Sequence, residues 1–163
     1  MQHPEVIHYS RVETPAGKLL LAASERGLRY LLFGGELPRS KKNQVWIESA
    51  EALRPYEQEL NAYFHGGLRE FSCKLDLEGT EFQKKCWKAL LRIPYGKTRS
   101  YAEIAREVGS PRSFRAVGQA NHHNPIAIIV PCHRVITSSG TLGGYGGGLP
   151  LKQMLLDLES KQP

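Results

Sequence analysis

Ile129-Val130-Pro131-Cys132-His133-Arg134-Val135-Ile136 sets a cysteine and a histidine side by side between two apolar runs. Short apolar runs of this kind are buried, so the pair is held by a core and not carried on a surface loop. A thiol is a nucleophile only as the thiolate, and an adjoining histidine is a common activator. Free cysteine is also among the most buried residue types, so a small core residue is the competing interpretation of Cys132. What surrounds the stretch decides between the two.

Immediately upstream, Asn124-Pro125 ends a helix and hands the chain to the apolar segment 126–130. That helix is predicted to begin at Ser110-Pro111, with Ser110 as N-cap and Pro111 in the first helical position, and to run to about residue 122. Before it, Ser100-Tyr101-Ala102-Glu103 is a capping box that opens a short helix to about residue 108, and Gly109 breaks it. Two short helices joined by a glycine-bearing turn form a helix-turn-helix. The second carries Arg112, Arg115, Gln119, Asn121 and His122, together with the small residues Ala116, Gly118 and Ala120. A small, basic, acid-free helix suits close approach to DNA, although a plain helical hairpin would share its outline.

Downstream, residues 137–148 are nearly all serine, threonine and glycine, with Tyr145 the one large residue. Such a loop lets backbone N–H groups approach a ligand. A dinucleotide site is disfavoured, since Gly143 to Gly148 lacks the strand–turn–helix setting and the later acidic residue. Residues 151–159 are predicted to form a final helix with Leu151, Leu155 and Leu158 inward. Glu159 lies one turn after Leu155 and near its face: it is either an ordinary surface glutamate or points inward, where a carboxylate needs a charged or hydrogen-bonding partner.

Further upstream, Thr80-Glu81-Phe82-Gln83 is a second capping box. Phe82, Cys86, Trp87, Leu90 and Leu91 follow at helical spacing, which makes Cys86 a core residue, and Pro94-Tyr95-Gly96 ends the helix. A domain boundary is placed near Gly79, giving a supporting domain over 1–78 and a second domain over 79–163 that carries the Cys-His stretch. Within 1–78, strands are predicted over 6–14, 18–24 and 27–33 as an antiparallel meander. A loop follows over 34–43, then a helix from 48 to 65 with Leu53, Tyr56, Leu60 and Phe64 on one face. A last strand is predicted over 71–77. The first half is thus a small antiparallel sheet with one covering helix, and it holds no catalytic constellation.

Charge is divided between the halves. Residues 1–78 carry 10 Lys and Arg against 11 Asp and Glu, and residues 79–163 carry 12 against 5. No acidic residue lies between Glu107 and Asp157. A basic half of this kind suggests a polyanionic partner, nucleic acid first among them, although charge alone would equally fit a basic surface with no partner. The three cysteines, Cys73, Cys86 and Cys132, form no disulfide framework. No CxxC or HxxxH pattern offers a metal site, and His122 and His123 would diverge on a helix. Met1-Gln2-His3-Pro4-Glu5 lacks a basic n-region and an apolar h-region, and no run is long enough to span a bilayer. The expectation is a cytoplasmic chain.

The surrounding motifs make the resemblance specific. Gly79-Thr80-Glu81-Phe82-Gln83, Ile93-Pro94-Tyr95-Gly96, Ser100-Tyr101, Arg115-Ala116-Val117-Gly118, Asn124-Pro125, Pro131-Cys132-His133-Arg134-Val135 and Gly143-Gly144-Tyr145-Gly146-Gly147-Gly148-Leu149 stand together in order and spacing. In these the chain resembles the O6-alkylguanine-DNA alkyltransferases, which repair DNA by direct reversal. The likeness covers the second half nearly completely and the first half in outline. It implies a ribonuclease-H-like α/β domain followed by a mainly α domain with a winged-helix-like helix-turn-helix. The zinc site of some vertebrate members has no counterpart here.

The resemblance further implies that Cys132 accepts the alkyl group from O6-alkylguanine, or O4-alkylthymine, in double-stranded DNA. His133, through a water, takes the thiol proton, and Glu159 orients the histidine. Asn124 braces the turn that holds an active-site strand. Tyr101 helps rotate the nucleotide out and protonates the leaving guanine, and Arg115 fills the vacated stack. Ser100, Tyr101, Arg115, Ala116 and Gln119 form the DNA-contacting set, entering from the minor groove. Pro131, Val135, Tyr145, Gly146 and Gly147 belong to the substrate pocket, with the carbonyls of Cys132 and Val135 on the exocyclic amine and the Gly146 N–H on the oxygen. Some relatives carry serine where Gly146 stands. A monomer that acts once, with no cofactor, is implied.

The chemistry agrees with this. A thiolate suits in-line displacement at saturated carbon, a buried thiol cannot reach a stacked base, and flipping brings the base to it. Three alternatives are weaker. A non-enzymatic lesion binder of the alkyltransferase-like kind would lack Cys132. A helix-turn-helix regulator leaves Cys132, His133 and Glu159 without a role. A cysteine hydrolase leaves Arg115 idle and would want an oxyanion hole.

Overall fold

The computed structural model describes residues 3–161, so Met1, Gln2, Gln162 and Pro163 lie outside it, including the first two residues of the N-terminal stretch discussed above. The chain separates into two compact units, Met1–Leu77 and Glu78–Pro163. Among the described residues no helix is long and apolar enough to cross a membrane.

In the first unit, β1 (Glu5–Thr14), β2 (Gly17–Ser24) and β3 (Gly27–Phe33) form the antiparallel meander. A fourth strand, β4 (Gln44–Glu48), pairs with β1 in parallel, from Glu5↔Gln44 to Tyr9↔Glu48, and the sheet order is β3-β2-β1-β4. The sheet is therefore mixed, which corrects the antiparallel expectation. The strand was hidden because β4 is an edge strand whose aliphatic residues face outward, Val45 42% and Ile47 44% exposed, while Trp46 alone turns in against Tyr9 and Tyr30. It also uses up the residues from which the helix was expected to start. Ser49 caps α1 (Ala50–Phe64), accepting a hydrogen bond from the Ala52 N–H. The helix buries Leu53, Leu60, Tyr63 and Phe64, leaving Tyr56 half-buried.

Residues 71–77 are not the strand expected of them. One bridge, Leu28 to Leu75, is all that pairs. Side chains hold the segment instead. The Glu59 carboxylate accepts the N–H groups of Ser72 and Cys73, and Asp76 accepts from Ser24 and from the buried Arg29 guanidinium at 2.7 Å. Gly27 makes the close approach possible, since a Cβ there would stand 2.5 Å from the Lys74 carbonyl oxygen.

The second unit opens with α2 (Glu81–Leu91), whose capping box between Thr80 and Gln83 is formed in both directions. Cys86, Trp87, Ala89 and Leu90 are buried, and the Trp87 indole N–H donates to the Ala120 carbonyl at 2.9 Å. Leu91, expected on the same face, is 42% exposed because it begins to turn outward at the helix end. A two-residue strand β5 (Arg99–Ser100) leads into α3 (Tyr101–Glu107), again with a complete capping box. The next helix, α4, spans Phe114–His122 and starts later than predicted. Ser110 and Pro111 make a turn instead, closed by the Ser113 N–H on the Ser110 carbonyl. Beyond α4 the chain runs through irregular turns to a short 3-10 turn, Cys132–Arg134, then β6 (Val135–Ile136) and α5 (Leu149–Ser160). The inner stripe of α5 is Lys152, Leu155 and Glu159, while Leu151 and Leu158 are only half-buried. Lys152 was not expected on this stripe, and Glu159 takes the inward of its two expected positions.

Candidate active site and nucleic-acid interface

The nucleophile candidate stands on a turn, where an active-site strand was expected. Residues 126–130 are buried throughout. The Ile129 N–H bonds back to Ala127 across Ile128, which has φ 71°, and the Val130 N–H reaches the Ile126 carbonyl. A β-branched residue in the left-handed region costs roughly 1–3 kcal/mol and persists only where its surroundings over-determine it. Pro131, at φ −83° and ψ 66°, makes an inverse γ-turn closed by Cys132 N–H on the Val130 carbonyl. Asn124 ties this backbone together. Its Oδ1 accepts the Ile126 N–H at 2.9 Å, and its Nδ2 donates to the Val130 carbonyl at 2.8 Å and to Cys132 Sγ at 3.2 Å.

His133 and Glu159 meet. His133 Nε2 lies 2.6 Å from Glu159 Oε2, with both side chains removed from solvent. The sequence did not disclose the third member, Arg134. Its Nε donates to Glu159 Oε1 at 2.7 Å, its Nη2 to Oε2 at 3.1 Å and its Nη1 to the Ile93 carbonyl at 2.8 Å. The Gly96 N–H adds a fourth donor to the carboxylate. Burial alone would raise the Glu159 carboxyl, but the hydrogen bonds from His133 and Arg134 outweigh it and hold it at about 2. Burial pushes His133 below its ordinary range, and Glu159 opposes that shift. An ionised carboxylate on a neutral imidazole fixes the tautomer: Nε2 carries the proton and Nδ1 is the free base. Among the described residues Nδ1 has no hydrogen-bond partner.

Burial also raises the Cys132 thiol, against the Asn124 hydrogen bond and the charge of Lys152. The resting sulfur is a thiol, so it needs a base. Lys152 is a second buried cation that the sequence concealed among leucines. Its ammonium donates to the carbonyls of Val135 at 2.6 Å, Leu142, and Gly144 at 3.2 Å. It thereby ties β6 to the middle of the loop between β6 and α5. Burial lowers it to about 8, with Cys132 acting in the opposite sense. Lys152→Met is expected to leave these carbonyls unpaired, at about 1–3 kcal/mol each. Amide exchange across residues 137–148 should then quicken; an unchanged exchange rate there would show that the loop holds itself.

The pinned loop faces Tyr101. The pairing of β5 with β6, Arg99↔Val135 and Ser100↔Ile136, sets the start of α3 beside the residues that follow Cys132. Gly143, with φ 73°, must be glycine: a Cβ would stand 3.0 Å from the Tyr101 hydroxyl oxygen. Burial raises the Tyr101 phenol, so it stays protonated. Between these elements lies a cavity of about 420 Å³. Tyr101, Cys132, Gly144, Tyr145 and Gly146 line it, as do Gly118, Gln119, Asn121 and His122 of α4. Pro131 and Val135 are buried, and neither they nor Gly147 line the cavity. The sequence placed His122 and Asn121 on the helix but gave no sign that they reach the cavity.

Arg115, Ala116 and Gln119 are exposed on α4, and Ser100 is half-buried at the head of α3. The Ser100 hydroxyl is engaged as N-cap, accepting the Glu103 N–H at 3.0 Å.

Both halves of the chain match known proteins. Residues 7–77 match the family model described as the ribonuclease-like domain of 6-O-methylguanine DNA methyltransferase. Residues 81–161 match the DNA binding domain of the same family. The chain is 52% identical over 153 residues to a methylated-DNA–protein-cysteine methyltransferase of Methanosarcina barkeri, covering 94% of this chain and 97% of the relative. A protein of the same name from Mycobacterium tuberculosis is 50% identical, over 96% of this chain and 94% of the relative. The crystal structure of Mycobacterium tuberculosis OGT in complex with DNA superposes with a TM-score of 0.88 at 51% identity, covering 95% of this chain and 94% of the other. With both of its halves matched and half of its residues shared along nearly the whole length, the chain belongs to the 6-O-methylguanine DNA methyltransferase family.

Proposed function

We propose that this protein repairs alkylated DNA by moving the alkyl group from O6-alkylguanine, in a nucleotide flipped out of the duplex, onto Cys132. The observation that carries this is the position of Cys132 in the wall of a nucleotide-sized cavity, next in the chain to a histidine locked by Glu159 and Arg134. The relatives' name supports the reaction class, and the complex of a close structural relative with DNA supports the partner.

The geometry suits each step. His133 Nδ1 takes the thiol proton through a bridging water, and the imidazolium that forms is stabilised by Glu159. The Glu159 charge is already balanced by Arg134, so the resting imidazole stays neutral and basic. The sulfur forms a bond to the alkyl carbon as the carbon–O6 bond breaks. The Tyr101 hydroxyl gives its proton to the departing guanine, which otherwise would leave as an anion, and the proton held on His133 is returned by way of solvent to the phenolate, so that both side chains end neutral. S-alkylcysteine and repaired guanine result, with no group left to regenerate the thiol, so each molecule acts once. Gly144 and Gly146 line the cavity, and a backbone N–H from this stretch is the donor expected to meet the oxygen.

Arg115 fills the gap that flipping leaves, and the acid-free helix approaches from the minor groove, whose readers use arginine in this way. A monomer working in the cytoplasm completes the reading. Incubating the protein with duplex carrying labelled O6-methylguanine should place one methyl per chain, on the peptide containing Cys132. Tight binding of the lesion with no transfer would favour the alkyltransferase-like lesion binder, and no binding at all would end both readings.

A further inference from the structure

We propose that Phe114 is a second insertion residue, an aromatic wedge that stacks into a base step beside the one Arg115 occupies. The proposal rests on the reading of α4 as the DNA-entering helix. The helix itself supplies the geometry. The α4 residues that line the cavity are Gly118, Gln119, Asn121 and His122. One and two turns back along the same stripes, at the i−4 and i−7 positions, stand Phe114, from Gly118 and Asn121, and Arg115, from Gln119 and His122. The cavity-facing side of α4 therefore continues, toward its N-terminus, into an aromatic ring and a guanidinium side by side.

Phe114 does not serve the core. Val117 and Ala120 are the buried residues of α4, and Phe114, three residues before Val117, is 49% exposed. Arg112 and Arg115 lie on either side of it, in a stretch with no acidic residue from Glu107 to Asp157. An apolar ring framed by cations in an acid-free surface fits a polyanion with stackable faces better than it fits an apolar protein surface. Minor-groove proteins insert phenylalanine between base steps in this way, partly unstacking them and bending the duplex, which lowers the cost of extruding a neighbouring nucleotide.

The test compares transfer from O6-methylguanine duplex with transfer from free O6-benzylguanine base, with 2-aminopurine beside the lesion reporting unstacking. In Phe114→Ala, the ratio of the duplex to the free-base rate constant should fall about 10-fold or more, the loss that one base–aromatic stack represents. The 2-aminopurine signal should shrink with it. Phe114→Trp should restore both, and its indole emission should be quenched by duplex. An unchanged ratio overturns the proposal. So does an equal loss on both substrates, which would mean that the ring only supports the fold. A DNA-free dimer in sedimentation that Phe114→Ala dissociates would overturn it in favour of a second copy on this surface. Wild-type protein that transfers from neither substrate would overturn the functional reading and this proposal with it.

Discussion

A Cys132→Ser variant is expected to bind lesion duplex and to transfer nothing, with the rate down by at least about 10³-fold. Serine is close in size to cysteine, and its oxygen can still accept the Asn124 amide that now lies 3.2 Å from the sulfur. The backbone turns that seat the residue depend on Asn124, Ile128 and Pro131, which the substitution leaves alone. What changes is the nucleophile. A thiol can be deprotonated by an imidazole near neutral pH, whereas an aliphatic hydroxyl holds its proton and is the weaker attacker at saturated carbon. Loss of activity accompanied by loss of lesion binding would mean that the thiol has a structural part. Residual transfer to the Cys132→Ser protein, mapped to Cys73 or Cys86, would place the acceptor elsewhere.

Glu159→Leu is expected to lower stability by about 3–5 kcal/mol, because it leaves the buried Arg134 guanidinium without its counter-ion. For a unit of this size that corresponds to a fall in Tm of more than about 10 °C. A double variant, Glu159→Leu with Arg134→Met, removes both charges and should recover most of the loss. It should not recover transfer, since His133 would still lack the acceptor that fixes its tautomer. Recovery of both would show that the ion pair serves only the fold.

The pH dependence has a defined sign. Glu159 sits at about 2 in the folded chain against an ordinary 4.5, and His133 is held below its ordinary 6.5. In both cases the unfolded chain binds more protons, so stability rises with pH. On acidification the His133 contribution begins to fall below about pH 6.5, where the unfolded imidazole charges. The Glu159 contribution is full above about pH 4.5 and is lost as pH falls toward 2. In the double variant the lower part of that profile should flatten.

Local signals in the sequence were sufficient where the structure is itself local. Both capping boxes are formed by residues three apart, and each is complete in the fold. Helix periodicity allowed Glu159 to point inward, but its pairing with His133 came from the family resemblance and not from the spacing. β4 was not legible, because its partner β1 lies some forty residues earlier and its aliphatic residues face out. Ser110-Pro111 suits a turn as well as a helix start, and only the Ser113 hydrogen bond decides. Arg134 and Lys152 were missed for one physical reason: a charge among apolar neighbours looks exposed until its partners are known. Arg134 did carry a signal. It lies between a buried histidine and a buried valine, so its guanidinium had to find an anion inside. Nothing comparable marked Lys152, whose partners are backbone carbonyls.

Glu159 lies in the last turn of α5, two residues before the C-cap Lys161. Helix ends are where local melting begins, at a small fraction of the free energy of global unfolding. Here that end is stapled by the imidazole, the guanidinium and the Gly96 amide. Fraying of a single turn would unlatch the histidine while the rest of the domain stayed folded. The chemistry is thereby tied to the closure of that one turn, and a molecule in which it opens falls silent before the rest denatures.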